Sequence, residues 1–277
     1  MSHTVTVITG ASSGIGAALA RQLGGKNHRL VLAARREQEL KQVAKESGVE
    51  AISVVADVTC RGDVEHLRDL AIEKFGHVDV WVNNAGRGIT RSVMDMSDRE
   101  FDDILAAVLK SVFYGMQTII PHFQKRERGH LINVSSFLGR VPLLPYRSIY
   151  SASKSAVNTL TACLRMDLKM NYPCIYVSTV MPGVVDTDFH KIAGPGLSVR
   201  AGGSLGSTRV ESADEVAAKI VSLIENPVPE LYTSPAQAEL VKQYFQDVGL
   251  FEENMARRMA GPRYESMVYR WLVSRAV

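Results

Sequence analysis

The chain has 277 residues, of which 46% are hydrophobic and 22% are charged, so it is long enough to bury the core of one large α/β domain. Its 32 Lys and Arg residues against 29 Asp and Glu residues give a net charge of +3 with no basic block, which excludes the charge pattern of nucleic-acid-binding proteins. The three cysteines are far apart and have no His or Cys neighbours at metal-ligand spacing, so we expect reduced, mostly buried thiols and no metal site.

The N-terminal apolar run predicts the first strand. It begins by Thr4, which leaves no room for a signal peptide, and no apolar run in the chain reaches the roughly 18 residues of a membrane span. We therefore expect a cytoplasmic protein that does not associate with membranes.

Glycines are concentrated where this strand gives way to the first predicted helix, in the sequence TGASSGIG at residues 9–16. Gly10 can take a positive φ, Gly14 lets the backbone approach a pyrophosphate, and Gly16 removes a Cβ between helix and strand. A phosphate here meets free N–H groups and the positive end of the helix, whereas a plain tight turn is the alternative interpretation. The residues of this turn that are predicted to bind the cofactor are Gly10, Ser12, Ser13, Gly14, Ile15 and Gly16.

The end of the second predicted strand, residues 30–34, bears on which nucleotide would bind. In a dinucleotide-binding fold this end approaches the adenosine ribose, where a carboxylate binds the 2′-hydroxyl of NAD. Ala34 offers no carboxylate, and Arg35 and Arg36 can hold a 2′-phosphate through charge-assisted hydrogen bonds. The sequence therefore favours NADP(H), and the alternative is that the arginines only begin a solvated helix.

Further β-branched runs at residues 52–56, 78–82, 131–134 and 175–180 alternate with helical patterns, which predicts a parallel sheet. Because both faces of such a sheet need covering, we predict an α/β fold, a doubly wound three-layer sandwich around a central parallel sheet (Rossmann fold). A short strand at residues 230–233 completes the sheet. We expect a catalytic domain at residues 1–234 and a helical extension of the same domain at residues 235–277.

Polar and small residues follow the third and fourth strands, where ligands bind in this fold. Each of these turns could also be an ordinary one, because Asp and Asn side chains often bond to nearby backbone. Their order along the chain favours the adenine edge and the floor beneath the cofactor, formed by Asp57, Val58, Asn83, Asn84, Ala85 and Gly86.

Ser136 follows the fifth strand, and Tyr150 and Lys154 lie four residues apart on one face of the next predicted helix. An ammonium close to a phenol favours phenolate, and lowering its pKa by about 3 units takes roughly 4 kcal/mol. Tyr150 would then give a proton to a carbonyl oxygen or take one from an alcohol, and Ser136 would bond to the same oxygen. Alone, the Tyr/Lys spacing equally describes a solvated helix face.

Together these motifs resemble the short-chain dehydrogenase/reductase family over residues 4 to about 233, with the sequence PGVVDT at residues 182–187 as a further match. The resemblance implies that Tyr150 is the acid/base, that Lys154 also binds the nicotinamide ribose, and that Ser136 orients the substrate oxygen. It implies further cofactor contacts from Pro182, Gly183, Val185 and Thr187.

One position departs from the family pattern. The family usually has an Asn in Asn-Leu-Lys-Gly, and this chain has Val-Leu-Lys-Ser at residues 108–111. The family's Asn is taken to hold a water that joins the lysine to solvent, which Val108 cannot do. A proton route through another group, slow turnover, or a non-catalytic NADP-binding sensor or scaffold are the alternatives. Retention of Ser136, Tyr150 and Lys154 favours an active NADP-dependent oxidoreductase acting on CH–OH or C=O groups.

The predicted pocket wall is mostly apolar, so we expect an apolar or aromatic ketone, aldehyde or secondary alcohol as the small-molecule substrate. Residues 189–209 are rich in Gly and Ser and predict a mobile lid, with His190 as a polar lid residue. Arg87 leaves an acidic substrate group possible. The wall comprises Leu138, Leu143, Leu144, Tyr146, Val184, Phe189 and Ile192, with an edge near Arg87 and Ile89.

The resemblance implies pairing through the helices at about residues 98–124 and 151–170, hence a homodimer or homotetramer. The tail after Pro235 has an apolar helical stripe and an aromatic end with Tyr264, Tyr269 and Trp271. We expect it to serve subunit contacts rather than a membrane surface.

Overall fold

The computed structural model describes residues 3–48, 50–189, 204–205 and 208–260. The chain divides into two compact units, Met1–Ser234 and Pro235–Val277. In the second unit, α8 (Pro235–Gln246) is followed by α9 (Val248–Ala260), and the rings of Tyr244 and Phe251 lie 5.4 Å apart. The predicted aromatic end at Tyr264, Tyr269 and Trp271 lies outside the described residues.

The first unit is built on a seven-stranded parallel sheet, whose strands lie close to the predicted runs and confirm the predicted fold class. They are β1 (Thr4–Thr9), β2 (His28–Ala34), β3 (Ala51–Val55), β4 (Val80–Asn83), β5 (Gly129–Val134), β6 (Ile175–Met181) and β7 (Glu230–Tyr232). Their order in the sheet is β7-β6-β5-β4-β1-β2-β3.

Helices cover both faces of the sheet because alternate strand residues point to opposite sides and both sets are apolar. The helices of this unit are α1 (Gly14–Gly24), α2 (Glu37–Glu46), α3 (Arg61–Phe75), α4 (Asp98–Leu105), α5 (Ser111–Arg126), α6 (Ser148–Lys169) and α7 (Ala213–Glu225). In β1, Val5 and Val7 pack under α3, α5 and α6, whereas Ile8 packs under α1, α2 and α7.

A π-helical turn, Ala106–Lys110, joins α4 to α5 into one helical stretch, Asp98–Arg126. This stretch is long and apolar enough to cross a membrane by length and composition alone. Half of its apolar window is buried inside the protein, and α5 packs against the sheet through Ile119 and Phe123. A core helix of a globular α/β domain has the same properties, so the stretch is weak evidence for a membrane span.

One pair of short strands flanks the predicted lid at residues 189–209, and a second pair lies at its C-terminal end. Val185–Asp186 pairs in parallel with Glu211–Ser212, and Ser204–Leu205 pairs antiparallel with Thr208–Arg209. His190 and Ile192, together with most of the predicted lid, lie outside the described residues.

The cysteine prediction is wrong in one respect, because Cys60, Cys163 and Cys174 are free but exposed. The buried face of α6 runs through residues such as Val157, and Cys163 falls on its other side. The remaining two precede α3 and β6. No group of three His, Cys, Asp or Glu side chains that could hold a metal occurs in the described part of the chain.

Candidate active site

The glycine turn between β1 and α1 is shaped so that its key positions accept only glycine. Gly10 and Gly14 have φ values of 66° and 56°, in the left-handed region. A Cβ on Gly16 would lie 2.6 Å from the Gly10 carbonyl oxygen. The first turn of α1 receives no side-chain cap from Ser13, so its N–H groups remain available to an anion. This uncapped, close-packed turn fits a dinucleotide pyrophosphate.

Asn84 ties this turn to the end of β4. Its side-chain amide donates to the carbonyl oxygens of Thr9 at 2.9 Å and Gly10 at 3.3 Å, and the Thr9 hydroxyl accepts from the backbone N–H groups of Asn84 and Ala85. The sequence placed Asn84 in the predicted floor beneath the cofactor, but the contact of its side chain with the glycine turn was not predicted.

The Asn83 side chain lies within the protein and not toward the glycine turn. It accepts from the Trp81 indole at 2.8 Å and donates to Asn133 at 2.9 Å, and Asn133 in turn donates to Thr161 at 3.0 Å. The side chain of Asn83 therefore joins β4, β5 and α6. Its predicted contact with a cofactor would have to come from its backbone.

Basic and hydroxyl groups meet beside the glycine turn, where the sequence predicted a 2′-phosphate. The Arg36 guanidinium donates to the hydroxyls of Ser13 at 2.6 Å and Ser12 at 3.2 Å. Arg35 is exposed at the end of β2 and lies close enough to Asp57 to act on its charge. Burial raises the pKa of Asp57, but hydrogen bonds from Thr59 and the charge of Arg35 outweigh it, so the pKa lies below its usual value.

The loop after β6 lies against the same turn. A Cβ on Gly14 would be 3.2 Å from the Thr187 methyl group, so Thr187 and the glycine turn are neighbours. Pro182 accepts a hydrogen bond from the backbone of Phe137 at 2.9 Å, and Gly183 donates to the Thr233 hydroxyl at 3.4 Å. These bonds hold residues 182–187 between the glycine turn and the 3₁₀ turn Phe137–Gly139 that follows Ser136.

Ser136, Tyr150 and Lys154 come together at the carboxyl end of β5, and all three are buried. The Ser136 hydroxyl accepts a hydrogen bond from the backbone N–H of Leu138 at 3.2 Å and lies close enough to the Tyr150 hydroxyl to act on its pKa. The Lys154 ammonium donates to the Val134 carbonyl oxygen at 2.7 Å and lies 5.8 Å from the centre of the Tyr150 ring. A proton-carrying phenol, a hydroxyl group and a cation are therefore neighbours at the end of β5.

Burial dominates the ionisation of both titratable groups. It raises the pKa of Tyr150 to about 12, although the Ser136 hydroxyl and the charge of Arg147 act to lower it. Burial also lowers the pKa of Lys154 to about 8. The predicted lowering of the phenol pKa by Lys154 is therefore wrong for the protein's own groups, since burial wins and the cation that acts on Tyr150 is Arg147.

Arg147 was not predicted from the sequence, although it lies three residues before Tyr150. It is 3% exposed, and its guanidinium donates to the Ile89 carbonyl oxygen at 3.1 Å. The signal that could have found it is its spacing, because residues three apart at the start of a helix are neighbours.

Val108 lies in the π-helical turn and is fully buried in an apolar cluster with Ile104, Ile149 and Tyr150. Its side chain contacts the apolar surroundings of Tyr150 and can hold no water by hydrogen bonding. The Ser111 hydroxyl, at the end of the same turn, donates to the Ala107 carbonyl oxygen at 2.8 Å.

The predicted pocket wall is partly assembled around Tyr150. Phe189 lies with its ring centre 5.4 Å from that of Tyr150, and Ile89 and Leu138 pack against the same cluster. Arg87 is exposed and lies 3.9 Å from Asp103. The other predicted wall residues are half-buried, namely Leu143, Leu144, Tyr146 and Val184.

Comparison with known proteins places these features in a family. Residues 4–196 match the family model of short chain dehydrogenases. An uncharacterized oxidoreductase from Staphylococcus epidermidis is 33% identical over 183 residues, which cover 66% of this chain and 78% of that protein.

Solved structures give the same result. A short chain dehydrogenase/reductase from Burkholderia phymatum in complex with NAD has 27% identity and a TM-score of 0.80, with 90% of this chain and 95% of that chain covered. An alcohol dehydrogenase from Thermococcus sibiricus complexed with 5-hydroxy-NADP has 29% identity and a TM-score of 0.72, with 83% and 95% covered.

Proposed function

The chain belongs to the short-chain dehydrogenase/reductase family of oxidoreductases, and on that premise we propose that it interconverts a carbonyl group and an alcohol with NADP(H). The observation that carries this proposal is the meeting of Ser136, Tyr150 and Lys154 beside the glycine turn. When bound, the nicotinamide supplies the hydride for reduction or accepts it in oxidation.

The protein's own residues would handle the proton and the substrate oxygen. Burial keeps the proton on Tyr150 at neutral pH, so in reduction its hydroxyl gives that proton to the oxygen of the substrate. Ser136 bonds to the same oxygen and orients it. The tyrosinate that remains is stabilised by the Ser136 hydroxyl and by the positive charge of Arg147, and oxidation runs these proton movements in reverse.

Tyr150→Phe tests the proposed role of the phenol. We expect the variant to bind NADPH as the parent protein does but to lose about 10²- to 10⁴-fold in turnover of a panel of ketones, aldehydes and secondary alcohols. Tyr176→Phe, an exposed tyrosine on β6, is the matched control. Turnover within tenfold of the parent protein in Tyr150→Phe would contradict the proposal. If NADPH binds and the parent protein turns over no member of the panel, the chain is a nucleotide-binding sensor or scaffold.

The preference for NADP(H) is supported by the contacts of Arg36 with Ser12 and Ser13 and by the position of Arg35 at the end of β2. We expect Arg36→Ala and Arg35→Ala each to reduce the ratio of NADPH to NADH affinity by about tenfold or more, because each removes a charge-assisted contact. Arg21→Ala removes an exposed arginine of α1 that pairs with Glu46 and should leave the ratio unchanged.

The substrate class and the assembly are proposed on the same footing. Phe189, Ile89 and Leu138 support a mainly apolar substrate body.

Leu160 and Met166 are exposed apolar side chains of α6, which supports a homodimer or homotetramer formed through that helix. Molar mass measured by light scattering on the parent protein and on Met166→Glu tests the assembly. A monomer mass for the parent protein would contradict an oligomer, and an oligomer mass kept by Met166→Glu would contradict an interface through α6.

A further inference from the structure

Arg147 is a buried cation at the edge of the proposed site. It directly precedes α6, is 3% exposed, and donates from Nη1 to the Ile89 carbonyl oxygen at 3.1 Å. Its guanidinium carbon lies 6.0 Å from the centre of the Phe189 ring, and the Tyr150 ring lies 5.4 Å from that same ring. Arg147 and the proton-carrying phenol are therefore both neighbours of Phe189.

Arg147 has no counter-charge among the described residues, unlike the inward-lying arginines Arg126 and Arg140. Arg126 pairs with Asp79 at 3.0 Å, and Arg140 pairs with Glu230. Among the described residues, no Asp or Glu forms an ion pair with Arg147. An unpaired buried charge is unfavourable unless a partner arrives, and such a charge in a cleft marks a candidate functional group.

The hydrogen bond to Ile89 leaves one edge of the guanidinium unused. Nη1 is engaged, whereas Nε and Nη2 form no hydrogen bond with the described residues. These two nitrogens make the planar edge that binds a carboxylate through two parallel hydrogen bonds. Ile89, Leu138 and Phe189 supply apolar surface nearby and pack in one cluster with Tyr150, while the phenols of Tyr150 and Tyr146 lie close enough to act on the charge of Arg147.

We propose that Arg147 binds a carboxylate of the substrate, so that the substrate is a mainly apolar oxo acid, or the hydroxy acid related to it. This proposal rests on the proposed carbonyl/alcohol chemistry and narrows its substrate class. The carbonyl would lie at Ser136 and Tyr150, the apolar body against Phe189, and the carboxylate at the free edge of Arg147.

Two other roles of Arg147 act on every substrate alike. The hydrogen bond to Ile89 and the parallel backbone bridge between Arg91 and Arg147 hold the loop at residues 89–91 against the start of α6. The charge also favours the tyrosinate form of Tyr150. Neither role distinguishes an acid from its ester, so the difference between acid and ester isolates the proposed contact.

The test uses three oxo acids of increasing length, each against its methyl ester: benzoylformate, 4-phenyl-2-oxobutanoate and 4-benzoylbutyrate. Binding is measured calorimetrically with and without saturating NADP⁺, which cannot reduce the probes, and kcat/KM is measured with NADPH. Arg147→Gln keeps an amide donor for Ile89 but removes the charge, and Arg147→Lys keeps a charge. Arg91→Gln is the control, because Arg91 lies in the same loop but is exposed and paired with Glu100 at 3.0 Å.

We expect at least one acid to bind more tightly than its ester to the parent protein. Arg147→Gln should reduce this acid-over-ester preference by about 10- to 100-fold, the effect of one lost charge-assisted contact, whereas Arg147→Lys should retain part of it and Arg91→Gln all of it. The absence of an acid preference in all three pairs would overturn the proposal, as would an unchanged preference in Arg147→Gln or its loss in Arg87→Gln instead. Failure of the proposed function would appear separately, as absent nucleotide binding or absent turnover while the acids still bind.

Discussion

Replacing Lys154 with methionine should stabilise the protein at neutral pH. Lys154 is 3% exposed, and burial lowers its pKa from the ordinary 10.5 to about 8. Below pH 8 the folded protein therefore holds an ammonium in surroundings that disfavour it. Methionine has a similar length and no charge, so it removes this penalty.

The expected gain follows from two opposing contributions. The fall in pKa from 10.5 to about 8 corresponds to about 3 kcal/mol, at roughly 1.4 kcal/mol for each pKa unit. The hydrogen bond from Nζ to the Val134 carbonyl oxygen, 2.7 Å long, offsets about 1 kcal/mol of this. We expect Lys154→Met to raise the free energy of unfolding at pH 7 by about 2 kcal/mol.

The gain should depend on pH in a defined direction. Between pH 8 and 10.5 the folded parent protein releases the proton that the unfolded chain keeps, so the unfolded state binds more protons and stability rises with pH. The advantage of Lys154→Met should therefore shrink through this window. By about pH 10.5 only the lost hydrogen bond remains, and the variant should be about 1 kcal/mol less stable than the parent protein.

Urea denaturation of nucleotide-free protein at pH 7, 8.5 and 10 measures these differences. Lys169→Met is the control, because this lysine is exposed on the same helix and its removal should change stability by about 0.5 kcal/mol or less at every pH. The reasoning is refuted if Lys154→Met is less stable than the parent protein at pH 7, or if its advantage is the same at all three pH values.

Three further substitutions test local packing by urea denaturation. Gly16→Ala should cost about 1–3 kcal/mol and weaken NADPH binding because its Cβ meets backbone at 2.6 Å, whereas Gly62→Ala, with nothing within 4 Å, should be neutral or stabilising; equal effects would refute this. Val108→Asn should cost about 1–3 kcal/mol by burying an amide among apolar groups and should not raise kcat, and a gain above tenfold would instead show that Val108 limits proton transfer. Ser97→Ala should cost about 1 kcal/mol, because it removes the hydroxyl that accepts from the Glu100 backbone N–H at the start of α4, and no loss would contradict that role.

The sheet could be predicted from the sequence because its strands are short apolar runs buried on both faces. β4 begins at Val80, two residues after the predicted start at residue 78, whereas β2 and β5 begin two residues before their predicted starts. Asp79 accepts a hydrogen bond from the Val5 backbone at 2.9 Å and pairs with Arg126 at 3.0 Å. These contacts join residues far apart in sequence, so an apolar pattern cannot reveal where β4 begins.

The positions of candidate site residues could be predicted where they depend on spacing along the sequence. They were missed where they depend on the direction in which a side chain points. Ser136, Tyr150 and Lys154 meet as predicted from their places after β5 and on one face of α6. Asn83 and Asn84 are adjacent at the end of β4, so their side chains point to opposite sides of the sheet. The sequence could not tell which of the two faces the glycine turn, since that depends on the last residue of the strand.

The direction of the Tyr150 pKa was wrong because the sequence reveals charges but not their solvation. Lys154 was expected to lower the pKa of Tyr150, yet the apolar cluster around Val108 and Phe189 removes Tyr150 from water, and this loss of hydration has the larger effect on the pKa. The same low polarity strengthens whatever charge interactions remain, because they are less screened than at the surface. A negative charge that forms on the substrate oxygen or on Tyr150 is therefore stabilised mainly by the few cations kept inside. Burying Lys154 and Arg147 as charged groups lowers the stability of the protein. We infer that this unfavourable free energy is offset only when a negative charge forms on the substrate oxygen or on Tyr150.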